Sequence, residues 1–232
     1  MTVSDPTRSD PTRSDPTRDH DVPADVDGRL YLQLRQDILD RKVVHGELLL
    51  ETTVGSRYGV SRTPVRAALV RLEHDGLVER ATRGYRIRTG TAEDVLEIYE
   101  ARIALEGVTA AAAALRRTDL ELARLQHLQA ESEAAEDAVE CNALHRQWHE
   151  VLWEAGHNRT IADTLVRLCA QLTLVEDAPI LAREELEASS AGHREIVVAI
   201  EERDADRAGR ALTDHLTRTR DIRLADFARA RR

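Results

Sequence analysis

Two histidines four residues apart, His145 and His149, stand in the stretch LHRQWHEVLWEAGHN at 144–158. The stretch reads as helix, and side chains at i and i+4 share one helical face, so both imidazoles can reach the same point. Neutral imidazole suits Zn, Ni, Fe or Cu better than Mg or Ca. Two ligands do not complete a site. His193 in GHREIVVAI and His215 in TDHLTR, on two late helical runs, are the candidate partners. A single helical His is more often an ordinary surface or core residue, and His20, His45, His74, His127 and His157 are read that way. Residue type and spacing alone therefore offer a His-rich metal site inside a helical bundle.

The elements that must carry these residues are helical from Thr91 to the end. TAED is a capping-box-like start, and VLEIYEARIALEGVTAAAAALRR follows with Val95, Ile98, Ile103 and Leu105 at helical spacing. Further helices are predicted at about 119–135, 137–155, 160–176, 183–202 and 205–229, separated by Asp, Gly or Asn breaks. Residues 91–232 are expected to form one all-helical domain.

The remaining chain divides by composition. Of 232 residues 42% are hydrophobic but only 3% aromatic, which favours packed helices over a sheet sandwich. Two cysteines, Cys141 and Cys169, make no disulfide framework, and this fits a reducing compartment. No apolar run has the length of a membrane span and no apolar signal core opens the chain, so the expectation is a soluble cytoplasmic protein without membrane contact. The net charge of −9 hides an asymmetry: residues 1–27 carry −4, residues 28–90 carry +5, and residues 91–232 carry −10. A basic segment beside acidic ones points to an anion-binding module attached to something else. The first segment holds SDPTR three times in tandem over residues 4–18, with no apolar side chains, and residues 1–24 read as a disordered tail.

Residues 25–90 follow another order. Leu30, Leu34, Ile38 and Leu39 recur at helical spacing, a short helix is read in ETTVGSRYG, and a third begins at VSRTPVRAALVRLEHDG. Ser61 and Thr63 are N-cap types, Pro64 fits a first turn, and Gly76 is placed to stop the helix. LVER and YRIR then read as two strands around ATRG. This is the order of a winged helix-turn-helix. Arg62, Thr63 and Arg66 lie at the start of the third helix, the end that enters the major groove in such proteins. Arg can grip guanine through two hydrogen bonds, worth ~1–3 kcal/mol of discrimination. Arg57, Arg71, Arg83, Arg86 and Arg88 are candidates for phosphate contact, which sets position and affinity.

The run VSRTPVRAALVRLEHDGLVER…RGYRIR resembles the DNA-binding domain of GntR-family transcriptional regulators, matching nearly every signature position from Val60 to Leu77. The resemblance implies that Arg62 and Arg66 read bases with Ser61 and Thr63 beside them, and that the wing tip at Arg83–Gly84 approaches the minor groove. Thr52 stands where relatives often carry a basic residue, and Gly55 where they carry an Ala-like one. Glycine costs up to ~1 kcal/mol inside a helix, so the second helix is expected to be less firmly held.

WHEVLWEAGHN is similar to the F-H-x-x-L-x-x-A-x-x-N core of the FCD effector domains in the FadR branch of that family, with His149, Leu152, Ala155 and Asn158 in register. His193 and His215 fit the spacing of the two later family histidines. The resemblance implies a mainly α protein, an N-terminal winged helix-turn-helix plus a C-terminal antiparallel helical bundle. It implies a divalent transition metal, Zn or Ni, held by His149, His193 and His215. His145 stands at the fourth position, where relatives carry Asp or Asn, with Cys141 an alternative ligand or a plain buried thiol. Gly192 replaces a Glu often found before the first late His. Arg102 and Glu106 match an R-x-x-x-E pattern in which the Arg often faces the ligand cavity; Arg102 then either holds an effector carboxylate or simply pairs with Glu106.

The leading expectation is a homodimeric regulator, a repressor in most relatives. It would bind a pseudo-palindromic double-stranded operator and respond to a small carboxylate effector at the metal site. A metal-responsive regulator with a sensory or structural metal is the alternative. A metal-dependent enzyme is disfavoured: Glu150 follows His149, but H-E-x-x-H is absent, as are a nucleophile motif and a phosphate loop.

Overall fold

The computed structural model describes residues 24–43, 46–175 and 183–230; the SDPTR repeats, His20 and His45 lie outside the described residues. The first elements are α1 (Ala24–Leu39), β1 (Leu48–Leu49), α2 (Glu51–Tyr58), α3 (Arg62–His74), β2 (Val78–Arg80) and β3 (Tyr85–Ile87). They are followed by α4 (Ala92–Arg116), α5 (Asp119–Ala134), α6 (Ala138–Ala155), α7 (Arg159–Val175), α8 (Arg183–Glu201) and α9 (Ala205–Ala230). Among the described residues no helix is long and apolar enough to cross a membrane.

The N-terminal elements form the winged helix-turn-helix. Leu30, Leu34 and Ile38 of α1 meet Val65, Ala68, Leu69 and Leu72 of α3 in one buried cluster, closed by Leu49, Val78, Tyr85 and Ile87 of the strands. The sheet has three strands in the order β1-β3-β2, both pairings antiparallel. The sequence reading anticipated only the β2–β3 hairpin. β1 is two residues long, too short for the alternation by which a strand is recognised. At Gly55 a Cβ would lie 2.9 Å from the Val60 carbonyl oxygen, so glycine lets the turn fold back closely on α2.

The six later helices bury a second cluster that includes Tyr99, Leu125, Trp148, Leu152, Ile196 and Leu212. α4 lies at its centre, packing along α9 and against α6, α7 and α8. Its start is fixed by a capping box: Asp94 N–H donates to Thr91 Oγ1 at 3.1 Å, and Thr91 N–H donates to Asp94 Oδ2 at 2.8 Å. The two clusters meet along α7. Ala170 and Leu174 are buried in the N-terminal core, while Leu172 is buried in the helical one. Between them Gln171 Nε2 donates to the carbonyl of Asp75 at 2.8 Å, at the C-terminal end of α3.

Candidate metal centre and DNA-binding surface

Three helices of the bundle bring histidines together. His149 of α6, His193 of α8 and His215 of α9 are all buried, and each offers a ring nitrogen within 4.8 Å of the others. Behind them α4 supplies a fully buried carboxylate, Glu106. Its Oε2 accepts from His149 Nδ1 at 2.8 Å and from Trp153 Nε1 at 3.0 Å, and its Oε1 accepts from Arg102 Nε at 2.7 Å. Burial alone would raise the Glu106 pKa; Arg102, His149 and Trp153 outweigh it and hold the carboxyl well below the usual range. The His149 bond decides which nitrogen is free: with Nδ1–H directed at Glu106, the Nε2 lone pair faces the other histidines.

These residues fit a divalent metal. His193 Nε2 lies 3.3 Å from His149 Nε2. Two nitrogens at Zn–N bond length in a tetrahedral shell are ~3.3–3.4 Å apart. The His193 ring lies flat against Trp148, 4.1 Å between centroids, which fixes its plane. Burial and the neighbouring imidazoles push the pKa of His193 well below the ordinary histidine value, and burial does the same for His215. Both are therefore neutral, the form that ligates. The donor set, three imidazoles with a carboxylate behind one of them, is that of a borderline transition metal.

His145 is turned elsewhere. Its Nε2 is 2.9 Å from Ser190 Oγ and 3.8 Å from Cys141 Sγ, and it does not join the three-histidine group. Only Nδ1 is left for a metal. Burial, then the proximity of His149, lowers its pKa to about 4, so it too is neutral. Cys141 is a buried thiol whose Sγ lies 3.5 Å from the Ser132 carbonyl, and burial raises its pKa. It lines a separate cavity between α5, α6 and α8 with Arg183 and Arg194.

Beside the histidines is a cavity of about 130 Å³. Of the two roles the sequence left open for Arg102, the pairing with Glu106 is present; the residue also lines this cavity, its guanidinium 5.1 Å from the Tyr99 ring centroid. Cys169, Leu172 and Thr173 of α7 form part of the same wall.

On the N-terminal unit Ser61, Arg62 and Thr63 are exposed at the start of α3, and Arg83 is exposed in the β2–β3 turn. Ser61 takes the N-cap position, yet its side chain makes no cap hydrogen bond. Gly84 has φ +72°, and a Cβ there would lie 2.5 Å from the Leu49 carbonyl oxygen, so only glycine brings the wing back over β1. Arg66 is held by Glu51 of α2 through two bonds, Nε–Oε1 at 2.8 Å and Nη2–Oε2 at 3.1 Å. Arg57 pairs with Glu47 at 2.7 Å, Arg86 with Glu79 at 3.2 Å and Arg88 with Asp94 at 2.9 Å, while Arg71 stacks over Tyr31.

Comparison with known proteins places both units. Residues 27–84 match the bacterial regulatory proteins of the gntR family, and residues 97–218 match the FCD domain. The HTH-type transcriptional regulator YdhC of Bacillus subtilis is 30% identical over 200 residues, covering 81% of this chain and 86% of that protein. This chain belongs to the GntR family and carries an FCD domain. RspR of Escherichia coli K12, an HTH-type transcriptional repressor, is 29% identical over 198 residues, 82% of this chain and 86% of that one. Among solved structures, E. coli McbR/YncC superposes with a TM-score of 0.69 at 19% identity, over 85% of this chain and 96% of that chain. A GntR regulator from Rhodococcus sp. RHA1 gives 0.66 at 25% identity, over 86% and 97%. The family is one of transcriptional regulators that bind DNA operators, and not of enzymes.

Within this GntR-family chain the sequence reading missed two members of the site. Trp153, four residues after His149 on α6, donates to the carboxylate that orients His149. Ser190, on the helix of His193, occupies the Nε2 of His145. The first was visible as an i+4 neighbour; the second depends on how α8 is rotated, which spacing does not reveal.

Proposed function

We propose that this GntR-family protein is a homodimeric repressor whose affinity for a pseudo-palindromic operator is set by a small carboxylate bound beside a Zn or Ni ion in the helical domain. Residues 25–90 serve the operator, with Arg62 and Arg66 reading bases, Ser61 and Thr63 beside them, and Arg57, Arg83 and Gly84 at the flanks. Residues 91–232 serve the effector and the dimer. The observation that carries this reading is the Glu106 network. One buried carboxylate ties a candidate metal ligand, His149, to an arginine on the wall of a cavity, Arg102. His149, His193 and His215 would hold the metal, with Nδ1 of His145 the one further donor. When bound, the metal would supply fixed positive charge beside the histidines that line the cavity. Arg102, with Nε anchored on Glu106, presents its remaining guanidinium edge to a carboxylate.

Control of DNA affinity requires the effector to favour one of two arrangements. α7 is the element shared by both ends. Cys169, Leu172 and Thr173 line the cavity, while Ala170, Gln171 and Leu174 pack against the DNA-binding unit. An acid that shifts α7 shifts α3 with it. The repressor assignment draws on the likeness to RspR. A second reading, a metal-responsive regulator, is favoured by the compactness of the three-histidine group, whose open fourth position water or Nδ1 of His145 would fill without an organic acid. One experiment separates the two readings. Metal content is measured on the parent and on a His149→Ala, His193→Ala variant, and binding to a selected operator duplex is followed with metal alone and with metal plus a panel of small carboxylates. About one metal per chain, lost in the variant, with DNA affinity responding to an acid, supports the first reading. A response to metal alone supports the second, and no metal uptake overturns both.

A further inference from the structure

The cavity beside the histidines is built as a slot with two cationic ends. Asn142, Arg146, His149 and Trp153 all line it from α6. Their spacing of four, three and four residues is one helical stripe. His215, Thr219 and Arg223 line it from α9 at intervals of four. With a rise of 1.5 Å per residue, Arg146 stands about 4.5 Å along its helix from His149, and Arg223 about 12 Å from His215. His149, His215 and Arg102 therefore mark one end, and a guanidinium on each of two helices, with His145 beside Arg146, lies toward the other. Among the described residues lining the slot, three are arginine, three are histidine and none is Asp or Glu. That composition stands out in a C-terminal segment whose net charge is −10.

Size limits what can enter. A cavity of about 130 Å³ compares with one of about 150 Å³ that admits benzene, so its enclosed part takes on the order of six non-hydrogen atoms and a longer occupant extends toward exposed Arg146. A monocarboxylate of that size places one charge at the histidine end and leaves an aliphatic tail against Arg146, Asn142 and Thr219. Burying a tail against those polar groups displaces their water without replacing its hydrogen bonds.

We infer that the effector is a two-ended acid, a short-chain dicarboxylate, with one carboxylate at the histidine end beside Arg102 and the other held by Arg146 and Arg223. This rests on the carboxylate reading above and names the class of acid. Arg146, exposed at the mouth, is the selectivity residue: it touches only the second carboxylate, while the first is held in the interior.

The test uses the full chain loaded with zinc and isothermal titration with succinate, glutarate and adipate, each against the monocarboxylate of the same chain length. At least one dicarboxylate is expected to bind roughly tenfold or more tighter than its partner, the scale of a charge-assisted hydrogen bond. Arg146→Ala is expected to abolish that advantage, with monocarboxylate affinity, zinc content and thermal unfolding unchanged, and Arg146→Lys to keep part of it. Equal affinity for the two classes overturns the inference and leaves the carboxylate reading standing. So does an advantage that survives in an Arg146→Ala, Arg223→Ala variant that still unfolds cooperatively. If neither class binds the zinc-loaded protein, the carboxylate reading falls and the inference with it.

Discussion

Replacing Glu106 by Gln removes one charge and leaves almost the same shape. In the native protein the Arg102–Glu106 pair is nearly closed to solvent, with side-chain exposures of 8% and 0%. Water cannot compensate the guanidinium once its partner is neutral. Removing one member of a buried ion pair costs ~3–5 kcal/mol, and at ~2–4 °C per kcal/mol for a chain of this size the melting temperature falls by about 6–20 °C. A second loss is independent of the first. Glutamine still accepts one hydrogen bond, but it no longer holds His149 as a charged acceptor, and losing such a partner weakens metal affinity by ~10–100-fold. Thermal unfolding followed by far-UV circular dichroism reads the first effect, and competition for zinc with a chromogenic chelator reads the second. Adding Arg102→Met to Glu106→Gln removes the orphaned charge and should restore part of the melting temperature but none of the zinc affinity. A Glu106→Gln protein that melts within 2 °C of the parent and holds zinc equally well would refute the argument that this carboxylate organises the site.

Four further outcomes follow from the geometry. Arg62→Ala should cost ~1–3 kcal/mol of operator affinity and relax preference at one base pair, read by binding to operator variants. Gly84→Val forces a side chain at φ +72° onto the Leu49 carbonyl, and should destabilise the winged unit by ~1–3 kcal/mol or more in denaturant unfolding. Leu152→Ala in the helical core, fully buried, should cost ~2–5 kcal/mol in the same assay. Gln171→Ala cuts the hydrogen bond to Asp75; effector affinity should stay as it is, while the effector-driven change in operator affinity shrinks by ~0.5–2 kcal/mol of coupling.

Much of this was legible in the residues. The VSRTPVR run marks α3 because an N-cap type, a first-turn proline and an apolar stripe coincide there, and local chemistry of that kind does not depend on the rest of the fold. The three histidines were legible for a related reason: His149 belongs to a long helical run, and His193 and His215 lie on two others. Side-chain direction was not. His145 and His149 share a face, yet one imidazole turns to Ser190 and the other to Glu106, because the helices packed on either side differ. The two-residue strand β1 left no periodic trace, and the pairing of Arg66 with Glu51 joins helices that sequence spacing cannot orient.

The arginines of the winged unit carry a consequence of their own. Arg57, Arg66, Arg80 and Arg86 each rest against a carboxylate of the same unit, and Arg88 against Asp94 at the start of α4. Proteins gain affinity for a polyanion largely by liberating the small ions condensed on it, one for each positive charge delivered. A guanidinium that arrives with a carboxylate attached delivers less than a full charge. The unit is thus a weakened polycation, and the number of ions set free on DNA should fall short of the number of arginines on its surface. Its hold on random sequence should then be weaker, and fall less steeply with ionic strength, than the count of arginines alone would give. On the proposed reading, in which Arg66 meets a base, Glu51 has to be exchanged for that base, so discrimination rests on sites that repay the loss of the internal pair.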